Sequence, residues 1–255
     1  MPIKVTLLGT GTSQGVPVVA CDCPVCKSSN PKDKRLRTSV LIETPLNTFV
    51  IDAGPDFRQQ MLREKVSRLD AILITHDHKD HMGGIDDVRA FNWIMQKPMT
   101  IFATEASAHT IRKDFSYAFA DRKYPGVPEI DLIRIGNEPF SFRDDLIVPV
   151  SAFHGELPVL GFRIGDFSYL TDASYVAPDE KEKMRGSKVI ILNALRQKKH
   201  HSHFTLQEAV AMLQDLNPQK GYLTHISHQM GLHDQICQTL PAGIALGWDG
   251  LCFRV

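Results

Sequence analysis

Four residues that can ligate a metal stand within six consecutive positions of this chain, His76, His78, Asp80 and His81, in the run Ile72-Leu73-Ile74-Thr75-His76-Asp77-His78-Lys79-Asp80-His81-Met82-Gly83-Gly84. Neutral imidazole and carboxylate are what borderline divalent cations bind, and an H-x-H-x-D-H loop is dense enough to serve two ions. The apolar run before it reads as a strand, and Gly83-Gly84 lets backbone approach closely before the next helix. A strand end is where α/β folds place their sites, which separates this loop from an ordinary histidine-rich surface turn. One loop rarely fills two coordination shells, so further ligands are expected at other strand ends. His154, Asp172 and His225 meet that expectation: each follows a strand-like run, at 146–152, 167–171 and 221–224. Taken singly, each would be a turn or capping residue; together, downstream of the dense loop, they point to ligands.

A second cluster is built on sulfur. Cys21, Cys23 and Cys26 crowd into six positions, while Cys237 and Cys252 stand alone. In a reducing compartment such crowding indicates metal rather than disulfide, the alternative being three reduced structural cysteines. A closed tetrahedral zinc site takes four ligands, so the loop at 21–26 needs one from elsewhere. His228, in Thr224-His225-Ile226-Ser227-His228-Gln229, is the candidate, because it can face away from the centre to which His225 belongs.

A third group, His200-His201-Ser202-His203, precedes a helix-like run that opens Phe204-Thr205-Leu206-Gln207-Glu208-Ala209. Expulsion of an alkoxide is slow unless it is protonated, and a general acid contributes about 10² to 10⁴-fold. His203 is the choice for that acid, with His200 and His201 as alternatives and a plain helix-terminal histidine beside a Thr205 cap as the structural reading. Arg196, Lys198 and Lys199 read equally as a phosphate-binding run and as a solvated charge run. His109 and His233 read as ordinary surface or helix histidines, and Trp93 and Trp248 as core or cleft residues.

The elements that must position these groups alternate. Strand signals lie at 3–8, 39–43, 48–52 and 71–75, then at 146–152, 161–164, 167–171, 189–192 and 221–224; helical periodicity lies at 57–65, 85–95, 178–184 and 205–216. No polar linker or repeat divides them, so one α/β domain over 1–255 is expected, strands central and helices outside. The 255 residues are 43% apolar, which supports a sizeable core, and carry zero formal net charge, so any polyanion-binding surface must be local. The N-terminus lacks signal-peptide features and no apolar run approaches the roughly 20 residues of a membrane span, so a cytoplasmic location without membrane attachment is expected.

On these residues the chain resembles the metallo-β-lactamase superfamily over nearly its whole length. The resemblance implies an αββα sandwich with the site at one edge of its sheets. It also implies that His76, His78 and His154 hold one ion and Asp80, His81 and His225 the other, with Asp172 bridging. The opening Gly9-Thr10-Gly11-Thr12-Ser13-Gln14-Gly15-Val16-Pro17, with C-x-C-x-x-C and T-H-I-S-H-Q, is similar to the narrower phosphoribosyl 1,2-cyclic phosphate phosphodiesterase group. There the cysteines and a late histidine form a structural zinc site, matching Cys21, Cys23, Cys26 and His228. The glycines do not fit G-x-G-x-x-G, which argues against a dinucleotide loop. The H-x-T-x-x-E-A run resembles a motif of superfamily phosphodiesterases, including tRNA 3′-end nucleases, and puts His203 beside Asp80 among the catalytic residues.

The expected function is therefore hydrolysis of a small cyclic phosphate or phosphodiester by a hydroxide bridged between two divalent ions, zinc or manganese, with one further structural zinc. A tRNA 3′-end endonuclease and a pyrroloquinoline quinone type biosynthesis protein are the alternatives. Nucleic acid is the less favoured partner, since the chain has no long basic insertion to grip it; a homodimer stays open.

Overall fold

The strands of the computed structural model, which describes residues 2–255, fall into two sheets of seven. The first sheet contains β1 (Lys4–Gly9), β2 (Ser39–Glu43), β3 (Thr48–Ile51), β4 (Ala71–Leu73), β5 (Met99–Ala103) and β6 (Ile130–Arg134). The second contains β7 (Phe140–Phe142), β8 (Asp145–His154), β9 (Leu157–Ile164), β10 (Phe167–Leu170), β11 (Val189–Asn193), β12 (Lys220–Thr224) and β13 (Ile244–Leu246). The last strand, β14 (Cys252–Arg254), returns to the first sheet and pairs with β1. Helices α1 (Pro24–Lys27), α2 (Phe57–Arg63), α3 (Lys79–Met82), α4 (Arg89–Met95) and α5 (Glu105–Asp114) belong to the first half. The second half contributes α6 (Pro178–Glu182), α7 (Leu206–Leu216) and α8 (His233–Cys237).

Side-chain alternation along the strands sets the layers. In β3, Phe49 and Ile51 face the space between the sheets, where they meet Phe162, Phe167, Tyr169 and Ile191 of the second sheet. Val50 faces outward, into a core shared with Met61 of α2, Phe91 of α4 and Ile111 of α5. In β11, Ile191 faces inward, while Ile190 and Leu192 pack with Leu213 and Leu216 of α7. Because both faces of these strands are buried, their sequences read as continuous apolar runs rather than as alternation. Helix, sheet, sheet and helix thus stack into the expected αββα sandwich.

Strand direction then decides where the site lies. β3 through β6 run parallel, as do β10 through β13, and β8 is antiparallel to β9, which is antiparallel to β10. The C-terminal ends of β3, β4, β8, β10 and β12 therefore open their loops along one edge.

Several boundaries differ from the sequence reading. β8 runs through to His154, so that histidine closes its strand rather than following it. The expected helix at 85–95 is a 3₁₀ turn, Ile85–Val88, followed by α4. β5, β6, β7, β13, β14, α5 and α8 lie outside the elements expected from sequence; β6, β7 and β14 are short and half-exposed. Trp93, expected in the core or cleft, is 80% exposed, and His233, read as an ordinary surface or helix histidine, is buried against Arg35. No helix among the described residues is long and apolar enough to cross a membrane.

Candidate metal centre

Ligand atoms from the ends of four strands, β4, β8, β10 and β12, converge at this edge. Asp80, His81, Asp172 and His225 offer donor atoms that all lie within 4.8 Å of one another, and so do His76, His78 and Asp172. His154 joins through a third group, with Asp172 and His203. Asp172 is common to all three groups, which is the place a bridging carboxylate must occupy. Its Oδ1 lies 3.1 Å from His225 Nε2, and its Oδ2 lies 3.3 Å from His81 Nε2 and 3.7 Å from His76 Nε2. Asp80 Oδ2 lies 3.2 Å from His81 Nε2 and 3.9 Å from His225 Nε2. Donors about 2.0–2.2 Å from a shared ion in tetrahedral array stand roughly 3.5 Å apart, so these spacings fit ligands around ions. The Nε2 atoms of His76, His81 and His225 are buried without hydrogen-bond partners. Buried polar atoms are ordinarily paired, and a metal removes the deficit.

The chain fixes these rings from behind. Asp52, which directly follows β3, accepts from His81 Nδ1 at 2.6 Å and from the Thr75 hydroxyl at 2.9 Å, both through Oδ2, while its Oδ1 takes the Thr75 amide at 2.9 Å. The Thr75 oxygen lies 2.9 Å from His76 Nδ1; with its own proton on Asp52, it accepts from that nitrogen. One carboxylate thereby sets the tautomer of a histidine in each half of the centre and leaves both Nε2 atoms free. His154 Nδ1 donates to the Ser202 carbonyl at 2.7 Å with the same result. Asp52 (φ 65°), Asp172 (φ 59°) and His225 (φ 55°) all adopt the left-handed region directly behind strand ends, a conformation uncommon outside glycine and concentrated at functional sites.

Close backbone packing holds the H-x-H-x-D-H loop. Ala53 donates to the His81 carbonyl and Gly84 donates to that of Ala53. A Cβ on Gly54 would meet the Asp80 carbonyl oxygen at 1.9 Å, and one on Gly84 would meet the Gly54 oxygen at 2.1 Å. The Gly-Gly pair read from sequence thus serves a close approach to the Asp52 segment.

His203 is buried, its ring centroid 4.4 Å from that of His154 and 4.8 Å from that of His225, with Nδ1 unpartnered. His200 is half-buried and 5.1 Å from His203, and His201 is exposed, so among the three histidines His203 reaches the centre. The rest of its motif is structural: Thr205 caps α7 by accepting from the Glu208 amide, and the Glu208 carboxylate accepts from the Thr205 amide, a capping box. The Arg196 guanidinium is committed to the carbonyls of Lys198 and Lys199 and to Gln229, which removes it from the phosphate-binding candidates.

The structure brings the three clustered cysteines together with His228. Sγ atoms of Cys21, Cys23 and Cys26 lie 3.1, 3.5 and 3.6 Å from His228 Nδ1. The group ties the N-terminal loop to the segment behind β12. Gly11 bridges Ile226, the residue after His225, and Ile226 donates to the Thr10 carbonyl.

Known proteins match this architecture. The profile of the beta-lactamase superfamily domain matches residues 47–226. The chain belongs to the metallo-β-lactamase superfamily. A solved structure described as a new diphosphatase from the PhnP family superposes on the whole superfamily fold of this chain with a TM-score of 0.94, 38% identity and coverage of 100% of this chain and 98% of that one. A Porphyromonas gingivalis protein named octanoyltransferase is 39% identical over 98% of this chain, and a ribonuclease Z of Mycolicibacterium paratuberculosis is 28% identical over 64% of it. The chain spans only 51% and 58% of the lengths of these two curated relatives.

Electrostatics follow from burial and charge at this metallo-β-lactamase centre. Burial drives His76 well below its ordinary value, and drives His203 down to about 2. Burial opposes ionisation of Asp172 and Asp80, yet neighbouring histidines, His225 and His81 in both cases, outweigh it and hold both carboxylates low. Burial also lowers His81, but Asp172 and Asp52 together raise it well above the ordinary range, so it is an imidazolium when no ion competes. In the sulfur site the Cys26 amide, donating to Cys23 Sγ at the start of α1, brings that thiol down to about 6, whereas burial raises Cys26 to about 11.

Asp52 is the residue that sequence reasoning passed over. A signal existed: Asp52-Ala53-Gly54 behind one strand parallels Asp172-Ala173-Ser174 behind another.

Proposed function

We propose that this chain hydrolyses phosphodiester bonds in small anionic substrates, cyclic phosphates included. The observation that carries the reading is His203, buried between His154 and His225 within the ligand group of Asp172. A metal-dependent hydrolase needs donor groups for its ions; a hydrolase that expels an alkoxide also needs a proton source beside them. Two divalent ions, zinc or manganese, held by His76, His78 and His154 and by Asp80, His81 and His225, with Asp172 between, would acidify a water and offset phosphoryl charge. A third, structural zinc is assigned to Cys21, Cys23, Cys26 and His228.

The chain's own residues then divide the work. Asp52 and Thr75 hold the ligand histidines in one tautomer. His203 is neutral in the free protein; to serve as the acid it takes a proton from solvent when an anionic substrate brings negative charge beside it, and passes that proton to the departing oxygen. The capping box at Thr205, two residues beyond His203, fixes the start of α7 and so limits how far the imidazole can drift.

Both the PhnP-family diphosphatase and ribonuclease Z names belong to proteins acting on phosphoryl centres, which supports the same reaction class. An octanoyl group would need an apolar trough beside the centre, whereas His200, half-buried beside His203, puts a polar ring there. The test is a substrate panel for the metal-loaded protein: a nucleoside 2′,3′-cyclic phosphate, a dinucleoside diphosphate, a precursor tRNA and an octanoyl thioester. Turnover confined to the small phosphoryl substrates is expected; turnover of the thioester alone would overturn the reading.

A further inference from the structure

Helix α4 is apolar on two faces. Five of its seven residues are apolar, Ala90, Phe91, Trp93, Ile94 and Met95. Phe91 turns into the core, its ring edge-on to that of Phe57 with centroids 6.3 Å apart, and Met95 packs against the same core. On the other side Ala90, Trp93 and Ile94, spaced i, i+3 and i+4, stand exposed as one ridge. A helix that is apolar all round is ordinarily covered all round. The two longer helices turn polar residues outward instead, Glu105 and Arg112 in α5, Gln207 and Gln214 in α7.

The end of α4 is fastened in this orientation. Asn92 Nδ2 donates to the carbonyls of Lys97 and Glu129, Asn92 Oδ1 accepts from the Glu129 amide, and Gln96 Nε2 donates to the Trp93 carbonyl. With that side clamped and Phe91 seated in the core, α4 has no freedom to roll Trp93 inward. The ridge continues across a groove to α2, lined by buried Phe57, Met61 and Phe91 and by exposed Leu62 and Ile94. A contiguous apolar face of this kind marks an interaction surface.

Charge at the same groove narrows the partner. Arg58 and Lys65 line it on the α2 side, and Asp87 lines it from the turn that leads into α4. None of the three forms an ion pair among the described residues, whereas the neighbouring Arg63 and Arg89 are paired, with Glu64 and Asp86. A partner surface of one sign, such as an anionic lipid headgroup layer, would satisfy Arg58 and Lys65 and be repelled by Asp87. A second copy of the same face satisfies all three, because in a two-fold contact residue i of one copy meets j of the other while j meets i.

We propose that the α2–α4 face is a two-fold interface between two copies of this chain, anchored by Trp93, with Arg58 and Lys65 of each copy set against Asp87 of the other. Phe57, which lines the groove, also packs directly on Gly84, where an added Cβ would meet the Phe57 Cβ at 2.9 Å, so pairing braces the H-x-H-x-D-H loop from behind. The inference does not rest on the phosphodiesterase reading.

The experiment is sedimentation velocity of the metal-loaded full chain from about 1 to about 100 µM, where a two-chain species is expected. Trp93→Ala is expected to weaken association by roughly 30-fold or more, the cost of removing a central aromatic anchor. Asp87→Lys alone and Arg58→Glu/Lys65→Glu alone each place like charges opposite one another and are expected to be monomers. Mixed one to one, these two variants are expected to pair, since every contact then joins opposite signs again; a folding defect cannot imitate that recovery. A natural chain that stays monomeric at the highest concentration, a dimer indifferent to Trp93→Ala and to both charge reversals, or folded charge variants that ignore each other in the mixture would overturn the proposal. So would a monomer that binds phosphatidylserine vesicles through Trp93, which would give the face to a lipid surface.

Discussion

His81 Nδ1 lies 2.6 Å from Asp52 Oδ2, and both side chains are completely buried. The same oxygen receives the Thr75 hydroxyl, which in turn takes the proton of His76 Nδ1. Asp52 belongs to neither of the two ligand clusters, yet it orients one histidine in each, His81 directly and His76 through Thr75. Replacing it by asparagine removes the charge that holds the His81 proton on Nδ1 and admits the wrong tautomer. Asp52→Asn is expected to weaken both ions by about 10 to 100-fold, measured by competition against a chromophoric chelator. Loss of one ion with the other untouched would contradict the shared role.

Metal uptake should also be linked to protons. In the ion-free protein His81 is held above the ordinary histidine range by Asp172 and Asp52 against burial, so it is protonated at neutral pH. An ion at Nε2 must displace that proton, which makes apparent affinity rise with pH until the raised pKa is passed. Calorimetry in buffers of different ionisation enthalpy is expected to register proton release on binding; release equal to zero at pH 7 would contradict a raised His81.

The acid and the ions can be separated by leaving group. His203→Ala should leave the metal content unchanged and slow the hydrolysis of an alkyl phosphodiester by about 10² to 10⁴-fold. An ester that expels p-nitrophenolate, which needs no proton, should change by less than roughly tenfold. Equal losses on both would assign His203 to metal or substrate binding instead.

The sulfur cluster should act on stability before chemistry. Cys23→Ser is expected to lose one ion per chain and on the order of 2 kcal/mol of stability, roughly 4 to 8 °C in Tm. Because Ile226, next to His225, is tied to the N-terminal loop, some loss of activity should follow, smaller than that of a substitution at His225 itself. Unchanged metal content in the purified variant would remove Cys23 from the site.

Much of the centre was legible because its ligands follow one rule, a polar residue directly behind an apolar strand. His76, Asp172 and His225 obey it, His154 is itself the last residue of its strand, and the fold brings those strand ends to one edge. Asp52 obeys it too, but a lone aspartate before Ala-Gly-Pro reads as a turn, and only its burial against His81 reveals its role. The division of labour within His203-Phe204-Thr205 was half legible: the pattern names a helix cap and an acid together, and only coordinates separate them. β6, β7 and β14 were invisible because edge strands with half-exposed faces carry weak alternation. His233 does stand in a helix, the first residue of α8, but its burial was not legible because its partner, Arg35, lies nearly two hundred residues away in sequence.

The most direct test is hydrolysis of bis(p-nitrophenyl) phosphate by protein stripped with a chelator and then reloaded with Mn²⁺ or Zn²⁺, with metal content determined in parallel. The account predicts no turnover when stripped, and turnover that returns with two ions beyond the one held by sulfur, about three per chain. A full complement of ions without diester hydrolysis, or turnover indifferent to stripping, would contradict it.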